Sequence, residues 1–112
     1  MKIERLLTNV CSQNLEESKQ FYTSLFSFKV DYDSDWFVHL ITDARQLELG
    51  IIALDHDVVP EMARGRIVGA YLTFVVESVD AVFNQCQELG YEITQEPENT
   101  PYGQKRMLLV AP

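Results

Sequence analysis

His39 and Glu48 are the side chains in this sequence best able to do acid–base chemistry. An imidazole and a carboxylate can each serve as a general base. Both also have simpler explanations, because a strand histidine is commonly only hydrogen-bonded and Glu48 can pair with Arg106 or with an exposed lysine. The other histidine, His56, lies between Asp55 and Asp57, where we expect a solvated loop.

The two cysteines, Cys11 and Cys86, lie far apart in the sequence, with no CxxC motif and no histidine beside them. This spacing favours neither a disulfide framework nor a zinc knuckle. We expect both to be small buried apolar residues.

Composition restricts the class of protein. The chain has 112 residues, 46% of them hydrophobic and 11% aromatic, which suits one folded domain over residues 1–112 and excludes a wholly disordered chain. A net charge of -8 disfavours nucleic acid and anionic lipid as partners and favours cationic ligands. No apolar run is long enough for a membrane helix, and the N-terminus lacks a signal-peptide stretch, so we expect a cytoplasmic protein.

The elements that position these residues form an imperfect repeat. Residues 7–12 read as a strand leading into a helix at 15–25, and residues 71–76 lead in the same way into a helix at 79–89. Asn14 and Ser78 are suitable N-caps for the two helices, and Gly90 provides a stop for the second.

Strand-like runs follow each helix. They cover residues 28–32, 36–41 and 46–54 in the first half, and residues 91–95 and 105–110 in the second. This pattern predicts a βαβββ module at about 1–54, a connector at 55–66 and a second module at 67–112 that lacks its last strand. Because an open sheet edge is normally avoided, we expect either a longer gene product or a partner chain that covers the edge.

The first helix and its flanks resemble the vicinal oxygen chelate superfamily, which includes glyoxalase I, extradiol dioxygenases and the fosfomycin and bleomycin resistance proteins. The segment from Asn14 to Tyr22, N-L-E-E-S-K-Q-F-Y, is similar to the family's D-L-x-x-S-x-x-F-Y. The matches at Leu47–Gly50 and at Glu88–Gly90 extend the resemblance into both halves. It implies an α+β fold with two βαβββ modules, a curved mixed sheet with a concave ligand cup, and a homodimer.

Enzymes of that superfamily hold a divalent metal at positions that fall here on Leu7, Glu48 and Tyr71, with a fourth beyond Pro112. Leucine has no donor atom and neutral tyrosine is a poor ligand for such metals. We therefore expect no metal, no cofactor and no metal-dependent glyoxalase or dioxygenase activity. The chain then resembles the metal-free branch, whose members bind and sequester drugs.

Alternation along the strands separates two faces. The side predicted to meet the helices carries Leu6, Thr8, Val10, Val38, Leu40, Leu47, Leu49, Ile51, Leu72, Phe74 and Val76. The opposite side would form the cup, lined by Leu7, Asn9, Phe37, His39, Glu48, Tyr71 and Thr73. Adding residues at the cup's border, we predict these ligand-binding residues: Asn9, Trp36, Phe37, His39, Glu48, Tyr71, Thr73, Tyr102 and Arg106.

The favoured function is metal-independent binding of a small molecule, of the bleomycin-resistance type, with a cationic aromatic ligand that stacks on Phe37 and Tyr71 and pairs with Glu48. Two alternatives stay open. One is a glyoxalase-like lyase or isomerase with an atypical site, in which Glu48 or His39 is the general base. The other is a structural or interaction module whose cup is filled by its own side chains.

Overall fold

The computed structural model describes residues 1–65 and 68–112. The chain divides into two compact units, Met1–Ala70 and Tyr71–Ala111, which are described separately below. Arg66 and Ile67, where the predicted connector ends and the predicted second module begins, lie outside the described residues.

The first unit contains a βαβββ module, as predicted. Its elements are β1 (Thr8–Ser12), α1 (Leu15–Leu25), β2 (Lys29–Asp33), β3 (Phe37–Ile41) and β4 (Glu48–Ala53). The sheet order is β1-β4-β3-β2, in which β1 runs parallel to β4 and the other neighbours are antiparallel.

Local hydrogen bonds explain where α1 begins. The Asn14 side chain accepts a hydrogen bond from the Glu17 backbone N–H at 3.1 Å, which is the predicted N-cap. The hydroxyl groups of Ser12, at the end of β1, and Ser18, in α1, lie 2.6 Å apart and both residues are buried. This contact fixes the helix against the strand that precedes it.

The core of the first unit lies between α1 and one face of the sheet. Val10, Val38, Leu40, Leu49 and Ile51 are buried there, with Leu40 and Ile51 fully so. Alternation assigned all five to this face. It was wrong for Leu47, which is 62% exposed, because β4 begins only at Glu48 and alternation has no meaning before that point. Leu6 and Thr8 are also exposed.

Residues 55–65 of the predicted connector pack within the first unit. Val59 is buried, and the Trp36 and His56 rings stack with their centroids 4.1 Å apart. The Cys11 thiol donates to the Ala63 carbonyl oxygen at 3.3 Å. His56 lies in a loop, as expected, but it is half-buried, because its ring has an aromatic partner that sequence order does not reveal.

The turn between β3 and β4 has an unusual backbone. Ala44 and Arg45 have φ values of 60° and 54°, in the left-handed region that residues with a Cβ rarely adopt. The turn is closed by the Leu47 backbone N–H, which donates to the Thr42 hydroxyl at 3.0 Å.

The second unit consists of α2 (Val79–Leu89), β5 (Ile93–Asn99) and β6 (Lys105–Leu109), with β5 and β6 antiparallel. The Ser78 hydroxyl accepts from the Ala81 backbone N–H at 3.1 Å, and Gly90 ends the helix at a φ of 77°. Cys86 is fully buried, as expected, whereas Cys11 in the first unit is only half-buried, contrary to expectation.

Residues 71–76 were predicted to be a strand but do not form one. Tyr71 is 84% exposed, and Val75 is also exposed. A strand is defined by backbone hydrogen bonds to a neighbour, and in the described part of this unit β5 is paired with β6 rather than with this segment. Apolar alternation alone does not supply that neighbour.

Both units combine a helix with β-structure, so the predicted α+β class is confirmed. None of the described helices has the length and apolarity needed to cross a membrane.

Candidate functional site

The sheet face opposite α1 carries the candidate site. In the cross-strand register Asn9 lies opposite Gly50, and Gly50 lies opposite His39, so the three residues form one row across β1, β4 and β3. Glu48 precedes Gly50 by two residues and Phe37 precedes His39 by two, which places both on this same face. We call this surface the open face, defined by Asn9, Phe37, His39, Glu48 and Gly50.

An ionic network crosses the open face. The Arg5 Nε donates to Glu48 at 2.7 Å from Oε2 and 2.9 Å from Oε1, and the Arg5 Nη2 also contacts Oε1. On the other side of Glu48, Oε1 lies 2.8 Å from His39 Nε2. His39 Nδ1 lies 3.0 Å from Asp31 Oδ2, and the Arg45 Nη2 donates to Asp31 Oδ1 at 2.8 Å.

The network keeps Glu48 ionised. The hydrogen bond from Arg5 lowers the pKa of Glu48 to about 2, and the hydrogen bond with His39 acts in the same direction against the opposing effect of burial. The Glu48 side chain is only 14% exposed, whereas that of Arg5 is 58% exposed. The pair therefore joins a sheltered carboxylate to a cation on the surface.

His39 is the fixed centre of the network. It is 7% exposed, and each of its ring nitrogens faces a carboxylate oxygen. Because a carboxylate only accepts hydrogen bonds, both contacts are hydrogen bonds when both ring nitrogens carry hydrogen. The Arg5 Nη2 also lies 3.3 Å from His39 Nε2 and can donate to it when that nitrogen carries none.

Flat rings follow one another along the open face. The Phe37 and His39 rings are nearly parallel, with an interplanar angle of 13° and centroids 6.5 Å apart. Tyr32 lies 6.4 Å from Phe37, and Trp36 lies 5.7 Å from it, measured between ring centroids. Gly50 lets the Asn9 side chain and the Phe37 ring approach the backbone of β4 closely, because a Cβ at that position would overlap the Asn9 amide oxygen and lie 3.0 Å from Phe37 Cε1.

The structure brings together some of the predicted ligand-binding residues. Asn9, Phe37, His39 and Glu48 share the open face, and Trp36 lies against Phe37 at the start of β3. The remaining four belong to the second unit, where Tyr71, Thr73 and Tyr102 are exposed and Arg106 lies in β6 opposite Glu98.

Three members of the network, Arg5, Asp31 and Arg45, were missed, and one pairing was predicted wrongly. Glu48 pairs with Arg5 rather than with Arg106 or a lysine. Alternation gives no signal for Arg5, because this residue precedes β1, which begins only at Thr8. Asp31 and Arg45 join the network through contacts between strands and turns that no local pattern encodes.

The residues present do not fit a divalent metal. Of the positions onto which the resemblance carries metal ligands, Leu7 offers no donor, Glu48 has both oxygens engaged by Arg5, and Tyr71 offers only a phenol, which is a poor ligand for such metals. Within residues 1–65 and 68–112, the structure contains no group of three or more His, Cys, Asp or Glu side chains placed to hold a metal ion.

Solved structures share this fold. A bleomycin resistance determinant encoded on the transposon Tn5 has a TM-score of 0.65 and 19% identity, over 98% of this chain and 90% of its own. Lactoylglutathione lyase from Agrobacterium tumefaciens has a TM-score of 0.72 and 13% identity, over 98% and 87%. A hypothetical protein from Staphylococcus aureus has a TM-score of 0.72 and 23% identity, over 97% and 88%.

A search of curated proteins finds no match to the sequence. A family model does match, and it covers residues 3–110, nearly the whole chain. Together with the βαβββ module and the structural similarity, this match shows that the chain belongs to the glyoxalase/bleomycin resistance protein/dioxygenase superfamily.

Proposed function

We propose that this protein binds a small planar cationic molecule without a metal and without turning it over, in the manner of a bleomycin resistance protein. The observation that supports this most is the row of rings on the open face, formed by Tyr32, Phe37 and His39. Flat ligands gain both apolar contact and favourable ring geometry on such a surface.

Electrostatics favour a positively charged ligand. The whole chain has a net charge of -8, and Glu48 on the open face is held ionised by its pairing with Arg5, whose place a ligand's cation can take. A field of this sign raises the association rate of cations and does so less at high salt.

In this proposal the ligand contacts the nine residues predicted from the sequence: Asn9, Trp36, Phe37, His39, Glu48, Tyr71, Thr73, Tyr102 and Arg106. The two units then act as one domain, the protein works as a homodimer in the cytoplasm, and sequestration of a drug gives antibiotic resistance. Superfamily membership and the shared fold support small-molecule binding in general. The nine contacts, the homodimer, the location and the resistance are specific to this proposal.

Binding is favoured over general-base catalysis by the state of Glu48. A general base works best when its pKa lies near the working pH, and a pKa of about 2 makes Glu48 a weak base. Both ring nitrogens of His39 face carboxylates, so neither points freely at a substrate. An isomerase or lyase remains the second candidate because the Asp31–His39 contact resembles the carboxylate–imidazole pairs that orient catalytic bases.

Proflavine, a planar cation, and acridone, a neutral molecule of similar shape, provide the test by calorimetric titration. We expect saturable binding of proflavine and weaker binding of acridone. In Phe37→Leu, which removes the ring but retains apolar bulk, the proflavine affinity should fall about two- to tenfold, the range that corresponds to an aromatic pair of about 0.5–1.5 kcal/mol.

The matched control is Leu89→Ala, which removes apolar surface from an exposed position of α2. It should leave the affinity unchanged. If neither proflavine nor bleomycin binds saturably, or if Phe37→Leu and Leu89→Ala behave alike, the proposed function is wrong.

A further inference from the structure

We propose that Glu48 and His39 form a binding site for a guanidinium or amidinium group, which Arg5 fills in the free protein and which a ligand's forked cation takes over. The inference rests on the proposed function, because it names the chemical class of cation that the open face recognises. It starts from the Arg5–Glu48 pair, in which the carboxylate is sheltered and the guanidinium is mostly exposed.

The carboxylate of Glu48 is held in place by its neighbours. Glu48 lies at the start of β4, and its Oε1 is held by His39, which is itself held by Asp31. Arg45 in turn holds Asp31. A carboxylate fixed in this way keeps two oxygens in position for a planar fork of two N–H donors, which is the geometry that Arg5 uses.

The cation, Arg5, lies on an exposed segment outside the sheet. Arg5 lies in residues 1–7, which precede β1 and contain no helix or strand, and residues 1–6 are all exposed. Its own side chain is more than half exposed. A ligand that replaces Arg5 with its own forked cation keeps the sheltered Glu48 paired and returns only the exposed Arg5 side chain to water, so the exchange costs little.

The tether then selects the ligand. Arg5 is attached two residues before Leu7 and three before β1, and a short tether gives a competing group an effective concentration of roughly millimolar order. A simple monovalent cation at a concentration well below this value cannot displace Arg5 from Glu48. A ligand that also stacks on the rings of Phe37 and Tyr32 adds a second contact and can displace Arg5.

Space beside the pair accommodates the exchange. An open groove of about 780 Å³ is lined in part by Arg5, Leu6, Arg45, Leu47 and Glu48. Displaced from Glu48, the Arg5 side chain can turn towards this groove while the incoming cation takes its two hydrogen bonds.

The first experiment tests the cation site alone, without a planar ligand. Methylguanidinium, which reproduces the end of the Arg5 side chain, is titrated into the wild type, Arg5→Ala and Arg64→Ala, and the His39 ring resonances are followed by NMR. Arg64 is the control because it is an arginine of the connector that donates to a backbone carbonyl instead of a carboxylate.

In Arg5→Ala we expect a saturable shift of the His39 resonances, at a concentration at least about fivefold lower than in the wild type or in Arg64→Ala. Equal responses in all three proteins, or no response in Arg5→Ala, would overturn the inference. This result does not depend on whether planar molecules bind.

The second experiment compares benzamidine, a planar molecule with a forked cation, with neutral benzamide. Arg5→Ala should bind benzamidine about two- to fivefold more tightly than the wild type, with benzamide unchanged, and the additional change Glu48→Gln should remove the gain. A benzamidine affinity that falls or stays constant in Arg5→Ala contradicts displacement. Failure of every planar probe, with methylguanidinium still binding to Arg5→Ala, refutes the proposed function and leaves the guanidinium site supported.

Discussion

Replacing Gly50 by alanine should weaken ligand binding while leaving the free energy of unfolding nearly unchanged. The new Cβ would overlap the Asn9 amide oxygen and lie 3.0 Å from Phe37 Cε1. Asn9 is exposed and its amide can rotate away, whereas Phe37 must move by only a few tenths of an ångström. Small adjustments of this kind cost about 1 kcal/mol, and the loss of glycine's backbone freedom in a strand returns about 0.5–1 kcal/mol.

The free energy of unfolding should therefore change by less than about 1 kcal/mol, which urea denaturation measures directly. Proflavine binding should weaken at least about fivefold, because the methyl group projects from the open face and the side chains of Asn9 and Phe37 are both displaced. Calorimetry on the same preparation gives the affinity.

The control lies one residue further along β4. Ile51 points to the opposite face and is fully buried against α1, so Ile51→Ala should lose about 2–5 kcal/mol of stability through the cavity it creates. If Gly50→Ala is as destabilising as Ile51→Ala, or if it binds proflavine as the wild type does, the assignment of a ligand to the open face is refuted.

Three further predictions concern stability. Ala44→Gly should stabilise the protein by about 0.5–1 kcal/mol in urea denaturation, because glycine tolerates the left-handed φ of 60°; a destabilised variant would contradict the strain. Ser78→Ala should lose about 1 kcal/mol by removing the cap of α2, whereas Ser78→Asp should retain most of it. Glu48 has a pKa lowered from its ordinary 4.5 to about 2, so its contribution is complete above pH 4.5 and is lost as the pH falls towards 2. Glu48→Gln should therefore flatten the stability–pH curve in that window, and an unchanged curve would refute the pairing with Arg5.

Patterns with a single physical cause could be predicted well. The faces of β3 and β4 followed from alternation because Val38, Leu40, Leu49 and Ile51 are buried on one side, and each helix start followed from its capping residue, Asn14 or Ser78. In each case the deciding interaction lies within the element itself or in its contact with the core.

Other features depend on the three-dimensional partner and escaped prediction. The pairing of Arg5 with Glu48 needs the parallel register in which Thr8 lies opposite Leu49, and no local signal specifies that register. Residues 71–76 have the alternation of a strand, but strand formation also requires a neighbour. The ring contact of His56 was not predicted because its partner, Trp36, lies outside the loop that holds His56.

The stacking of Trp36 on His56 joins the chain's one tryptophan to the connector. Intrinsic fluorescence therefore comes from a single position, just before β3, whose environment includes the His56 ring. A change in this contact should alter the Trp36 emission, so local opening of the connector can be followed without any label.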